Sequence, residues 1–354
     1  MMPEGIAPLE EESRRRNVYI VYGQNIEERK KIDSILQDFK LLSLVKNDIV
    51  GLAGGSPFIG DILNIAFERA QAVIVLLTCN EEARLRENFR RYDDKEHEKS
   101  FRLQPTQDQI FEAGYAFGKS PERTILIQVG EVRPFSDIEG RYVLNYADTL
   151  EDTNLLRACL LRAGCIVNNT GSLSPPPTDI KAIAPDIDTR RVFVVHGRNM
   201  IIMKELFAFL RALDLSPMEW YEAIGLTKGG ASYIGEIVSQ GLDDAQVVVI
   251  LLTGDDEVRQ SKEGEEGEEL SYPQARPNVL FEAGLAFSRY ENRTILVQVG
   301  RVRPCPDLRG RTMVRLSDSP GSRWDFMHRL RIVGCKVNFD GKWNTTGNFT
   351  IADG

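Results

Sequence analysis

Residues 108–141 read DQIFEAGYAFGKSPERTILIQVGEVRPFSDIEGR, and residues 278–311 read NVLFEAGLAFSRYENRTILVQVGRVRPCPDLRGR. From Ile110 and Leu280 onward, about 19 of 32 aligned positions are identical. The chain therefore contains an internal duplication, and a repeat of this size decides the architecture before any single element does. Each copy sets one glutamate, Glu112 or Glu282, in an apolar helical run. Each then continues into a β-branched run, RTILIQVG or RTILVQVG. A helix leading into a short apolar strand is the alternation expected of an α/β domain.

Working outward, the same order of elements appears twice. NVYIVY and RVFVVH are short apolar runs of the kind found in buried parallel strands. Each is followed by a glycine, a polar residue and a helical stretch, then by a glycine-containing turn, GLAGG or GLTKGG. AVIVLLT and VVVILLT are the next strands, each followed by a long charged insert and then the glutamate helix. A last helix precedes AGCIVN and VGCKVN. The fold expected is two tandem flavodoxin-like domains, each a mostly parallel sheet with helices on both faces. The domains run over 14–170 and 189–341. The proline-rich segment 171–188 reads as a semi-rigid linker, and 342–354 as a loose polar tail.

Composition excludes several classes. The 354 residues carry a net charge of -8, which argues against a nucleic-acid partner. No apolar run approaches the roughly 20 residues of a membrane-spanning helix. The N-terminus lacks an apolar signal core, so the expected location is the cytoplasm. Five cysteines without paired spacing read as buried thiols, and three histidines are too few for a histidine-rich metal site. No metal is expected.

In open parallel sheets, ligands bind beyond the carboxyl ends of the strands. In copy two those positions hold His196, Gly197 and Arg198, then the turn 225–230, then Thr253, Gly254, Asp255 and Asp256. The turn could cradle a phosphate with the amides of Gly229 and Gly230 and the charge of Lys228, although glycines also simply make turns. Asp255 and Asp256 could accept ribose or base hydrogen bonds, or cap the following element. Arg276, two residues before Asn278 at the start of the glutamate helix, could grip a phosphate bidentately. Glu282 is the sharpest residue, because a glutamate among apolar and small neighbours needs a partner or a purpose. Capping backbone amides or pairing with an arginine is the structural alternative.

The ordered set VFVVHGRN, GG…IGEI, VVVILLTGDDEVR, ARPNVLFEAGLAFSR, RTILVQVG and PDLRG resembles the TIR-like, predicted nucleotide-binding domain of bacterial cyclic-nucleotide-controlled defence effectors of the CBASS and Pycsar type. The resemblance covers most of copy two, and copy one more weakly. It implies an enzyme that cleaves NAD at the nicotinamide–ribose bond, with Glu282 as the catalytic carboxylate. It also implies self-association through the 225–230 loop, a pocket near Asp255, Asp256 and Arg276, and control by an activating protein or nucleotide signal. NAD would then be a substrate, with no resident cofactor. A lone carboxylate suits that chemistry. Nicotinamide leaves as a neutral molecule, so what needs support is the positive charge developing on the ribose. Hydrolysis and cyclisation to a cyclic ADP-ribose-like product both remain open.

Copy one keeps the scaffold and Glu112 but not the ligand-binding groups. His196, Gly197 and Arg198 are matched by Tyr22, Gly23 and Gln24, and Asp255 and Asp256 by Asn80 and Glu81. Arg276 and Asn278 are matched by Thr106 and Asp108. Copy two is therefore the expected active domain, and Glu112 marks at most a second site. Two other readings stand beside it: a non-catalytic nucleotide-binding or TIR scaffold, and an enzyme resembling nucleoside deoxyribosyltransferases.

Overall fold

The β-branched runs form the central strands of two parallel sheets. The computed structural model describes residues 11–53, 57–168, 188–218, 222–223, 226, 234–259 and 271–350. The strands of the first half are β1 (Asn17–Val21), β2 (Leu42–Leu44), β3 (Ala72–Thr78), β4 (Glu81–Leu85), β5 (Arg102–Gln104), β6 (Thr124–Val129) and β7 (Val143–Asn145). Those of the second are β8 (Arg191–Val195), β9 (Ser216–Pro217), β10 (Val247–Leu252), β11 (Asp256–Arg259), β12 (Ser271–Gln274), β13 (Thr294–Gln298) and β14 (Met313–Arg315).

One sheet has the order β2-β1-β3-β6-β7 and the other β9-β8-β10-β13-β14. Every pairing in both is parallel. This is the expected flavodoxin-like order, made twice, with its switch point beside β1 in one sheet and β8 in the other. β3 and β10 are buried along their whole length, which is why the sequence there is an unbroken apolar run. The three-residue fifth strands, β7 and β14, are too short to stand out in the sequence.

The chain divides into two compact units that do not follow the repeat. Unit 1 holds Met1–Glu81, Leu103–Arg133 and Arg141–Ile180; unit 2 holds Glu82–Arg102, Pro134–Gly140 and Lys181–Gly354. Two stretches that belong by sequence to copy one thus pack into the unit built around copy two. The linker 171–188 lies outside the described residues, apart from Asp188.

In unit 1, Val18, Ile20, Ile74 and Ile127 of the sheet pack against Ile32, Leu36, Leu156 and Leu160 of helices. Tyr19, Phe67 and Tyr115 form an aromatic chain with centroids 5.6 and 5.4 Å apart. The first glutamate helix, Gln107–Lys119, starts at a capping box between Thr106 and Gln109. The Gln109 amide also donates to the Leu76 carbonyl at 2.7 Å, fixing the helix end to β3.

In unit 2, Val192, Val249 and Val297 pack against Leu206, Phe209, Phe326 and Leu330. β11 pairs antiparallel with β12 and, on its other edge, with residues 82–85 of β4. Cross-strand pairs Arg84–Glu257 (3.0 Å) and Arg259–Glu82 (2.7 Å) lock that register, and both guanidinium groups lie over the Phe101 ring.

The tail differs from the expectation of a loose segment. Phe349 is 3% exposed, and Trp343 and Phe349 stand edge-on to Phe209. Arg323 donates to the carbonyls of Trp343, Thr346 and Gly347, and Asp318 accepts from the Thr350 hydroxyl at 2.6 Å. Two aromatic side chains with a hydrogen-bonded backbone offset the ordering cost that a purely polar tail could not. No helix among the described residues is long and apolar enough to cross a membrane.

Candidate active site

The two glutamates occupy matching turns of matching helices, and their surroundings differ. In unit 1, Glu112 is buried and accepts from the Lys46 ammonium at 2.9 Å and, more weakly, from the Tyr19 hydroxyl at 3.4 Å. Lys46 comes from the helix after β2. The aligned residue of copy two is Glu219 or Trp220, depending on where a one-residue gap is placed, and neither is a cation.

In unit 2, Glu282 sits on the second glutamate helix, Pro277–Tyr290, and hydrogen-bonds to the carboxyl group of Asp137. Burial first, and then the Asp137 charge, raises the Glu282 carboxyl well above the usual carboxylate range. Two carboxyl groups in a hydrogen bond must share a proton, as in other acid dyads. The expected lone carboxylate is thus one of a pair. The reason is that the PFSDIEG stretch of copy one folds into unit 2. Phe135 meets Phe281 at a centroid distance of 5.9 Å, and Ser136 receives the Asn278 amide. Asp137 follows directly.

One helical turn before Glu282, Asn278 lines a cleft of about 380 Å³ together with Arg198, Arg276, Asp94, Glu98 and Ser136. Residues four apart share a helix face, so Glu282 lies about 6 Å farther along it. Arg198 and Arg276 come from copy two; Asp94 and Glu98 come from the copy-one insert, which also lends Arg91 and Lys95 to the lining. Arg276 is 8% exposed and grips Glu98 with both terminal nitrogens, at 2.7 and 2.6 Å, while also donating to Asp256 at 3.2 Å. Burial alone would weaken its charge. Asp256, Glu98 and Asp255 overcome that and hold the guanidinium above the usual arginine range. Arg198 pairs with Asp94 at 3.0 Å.

The remaining candidates fall into three places. Asp255 is fully buried and accepts from the backbone amides of Arg198 and Asn199 and from the Thr253 hydroxyl. Burial raises its carboxyl, and those donors oppose the rise. Gly197 is needed because its missing Cβ would collide with the Asp255 carboxylate and crowd Arg276. Gly23 repeats that arrangement beside Asn80 and Gln109. His196 is partly buried, its Nδ1 lying 3.0 Å from the Gly197 carbonyl, and Asp256 is buried under Arg276. Lys228, Gly229 and Gly230 lie outside the described residues.

Asp94, Glu98, Ser136 and Asp137 were not among the residues singled out for a site. Only Asp137 left a trace, since Asp307 repeats it in copy two. Among the described residues, no cluster of histidine, cysteine and acidic side chains is placed to hold a metal ion.

The model of the CAP12/Pycsar effector protein TIR domain matches residues 17–148 and again 191–318. Together the matches cover more than half of the chain, and the chain belongs to that family, with the domain in tandem. No curated protein matches it.

Proposed function

With membership of this effector family as premise, we propose that unit 2 consumes NAD by breaking its nicotinamide–ribose bond, acting in bacterial antiphage defence. Glu282 is the catalytic carboxylate. The carrying observation is the contrast between the two helices: Lys46 neutralises Glu112, whereas Glu282 meets only a second carboxyl group among the described residues. A carboxylate neutralised by an ammonium is a poor stabiliser of a cation, and one without that partner is free to act.

In the reaction, the bond between ribose C1 and the pyridinium nitrogen breaks, and its electron pair leaves with neutral nicotinamide. Positive charge develops on the ribose, facing Glu282. Water then adds at C1 and loses a proton, or the adenine ring of the same molecule adds instead. Because Glu282 is the group raised, the shared proton has to pass to Asp137, which then donates it in a hydrogen bond to the ionised Glu282 for this step. Arg198 and Arg276 would exchange Asp94 and Glu98 for the oxygens of the diphosphate, with Asn278 beside them. His196 and the 225–230 loop, with Lys228, Gly229 and Gly230, belong to the same proposed pocket. Gly197, Thr253, Asp255 and Asp256 support its floor. NAD is the substrate and no cofactor is required. Self-association through the TIR domains, an activating protein or nucleotide signal, and a cytoplasmic location complete the proposal.

A scaffold without catalysis is the second reading, favoured by the fact that Arg276 and Arg198 are already paired with acids. Following free nicotinamide by chromatography after incubation with NAD separates the two. Release that Glu282→Gln abolishes supports the enzyme. Release that survives the substitution sinks the assignment of Glu282. No release, even from protein concentrated enough to associate, favours the scaffold.

A further inference from the structure

A second cleft, of about 410 Å³, opens in unit 2 at the carboxyl ends of β10, β13 and β14. It shares no lining residue with the cleft beside Glu282. Its apolar surface includes Val302, Pro304 and Met313, and its polar rim carries Arg303, Arg309, Arg311 and Arg315. No carboxylate lines it among the described residues. Its volume is in the range of roughly 300–1,000 Å³ typical of small-molecule sites.

The four arginines divide into two held and two open. Arg303 donates to the buried Gln274 at 3.1 Å, while Arg311 pairs with Glu291 and lies over the Phe287 ring at 4.2 Å. Arg309 and Arg315 are exposed, and no acid among the described residues pairs with either. With Arg311 already countered by Glu291, the two open guanidinium groups at one opening repel each other unless an anion joins them.

The duplication supplies a control. At the positions of Arg309 and Arg315, copy one carries Glu139 and Asn145, whereas Arg303 and Arg311 recur as Arg133 and Arg141. The held pair is therefore common to both copies, and the open pair belongs to copy two alone. That division separates scaffold from added charge.

We propose that this cleft binds a phosphomonoester carried on a flat, apolar body, a nucleoside monophosphate by chemical class. Arg309 and Arg315 take the phosphate, since guanidinium matches its oxygens bidentately. The ring system lies on the apolar surface formed by Val302, Pro304 and Met313. The site does not depend on Glu282 or on any turnover.

The test is calorimetric titration of the full chain with the four common nucleoside 5′-monophosphates, with adenosine and inorganic phosphate as separate arms. At least one monophosphate is expected to bind saturably, more weakly at higher salt, and more tightly than either fragment. Arg309→Glu with Arg315→Asn installs the copy-one residues, and binding should fall at least tenfold, whereas Glu282→Gln should leave it unchanged. Protection of Arg309 and Arg315 from phenylglyoxal by the monophosphate, read by peptide mass spectrometry on the wild-type chain, tests the site without any variant. Absence of saturable binding, inorganic phosphate binding as tightly as every monophosphate, loss of binding in Glu282→Gln, or unprotected arginines would each overturn the proposal.

Discussion

Glu112 and Glu282 stand at the same turn of the same repeated helix, with nearly the same neighbours in sequence. One is held by a lysine at 2.9 Å and the other shares a proton with an aspartate. Burial, nearly complete for Glu112 and partial for Glu282, costs the two carboxyl groups hydration, and the two units recover it in opposite ways. An ammonium partner keeps a carboxylate ionised and occupied. A carboxyl partner keeps one proton in the pair and leaves a basic oxygen available. A repeat can thus preserve a residue and its helix while changing what the residue can do.

The strongest way to break this comparison is to neutralise each glutamate in turn. Glu282→Gln should lower nicotinamide release by about 100-fold or more, the scale of losing a preorganised electrostatic group. Glu112→Gln should leave release within about twofold, the range of a site outside the chemistry. Equal losses in the two variants would erase the functional asymmetry.

Glu98→Gln probes the acids that copy one lends to unit 2. Breaking its bidentate pair with the buried Arg276 should cost about 3 kcal/mol in a urea melt. The freed guanidinium should also lower KM for NAD, with kcat little changed. A raised KM would mean that Glu98 supports the pocket instead of occupying it.

Lys46→Met removes the cation from Glu112. The loss of one charge-assisted hydrogen bond to a buried acid should cost roughly 1–3 kcal/mol. Release of nicotinamide by unit 2 should be unaffected, and a large change would tie Glu112 to the reaction.

The finest test is pH. The raised Glu282 group binds its proton more tightly in the folded chain than in the unfolded one. Its contribution is therefore fully present below the ordinary glutamate range and is lost as pH rises through the raised value. Asp137→Asn removes one of the causes, so urea midpoints should decline less between about pH 4.5 and 8 than in the wild type. Asp255, also raised by burial, contributes the same sign in both proteins and cancels from the difference. Identical pH profiles would remove the carboxyl pair from the account.

The fold was legible because its signal is local and doubled. β3 and β10 are runs of seven and six buried residues, and no polar residue interrupts their apolar pattern before its end. The capping box at Thr106 and the Asn199 cap of the helix after β8 are likewise written in adjacent residues. β7 and β14 were not legible, since three residues carry no period. The docked tail was missed because its two aromatic residues are spaced among polar ones, and their value depends on Phe209 being open to receive them.

For the site, the sequence by itself determined the duplication, the alternation of strands and helices and the unusual placement of Glu282 among apolar neighbours. Those follow from short-range patterning, which sterics and burial translate directly into structure. The partners of the site were decided by tertiary structure alone. Glu98 lies 178 positions from Arg276, and Asp137 belongs to the other copy. Nothing in local propensity links such residues. They meet because 82–102 and 134–140 pack outside the copy that encodes them, where buried charges find their counterions and buried acids share a proton.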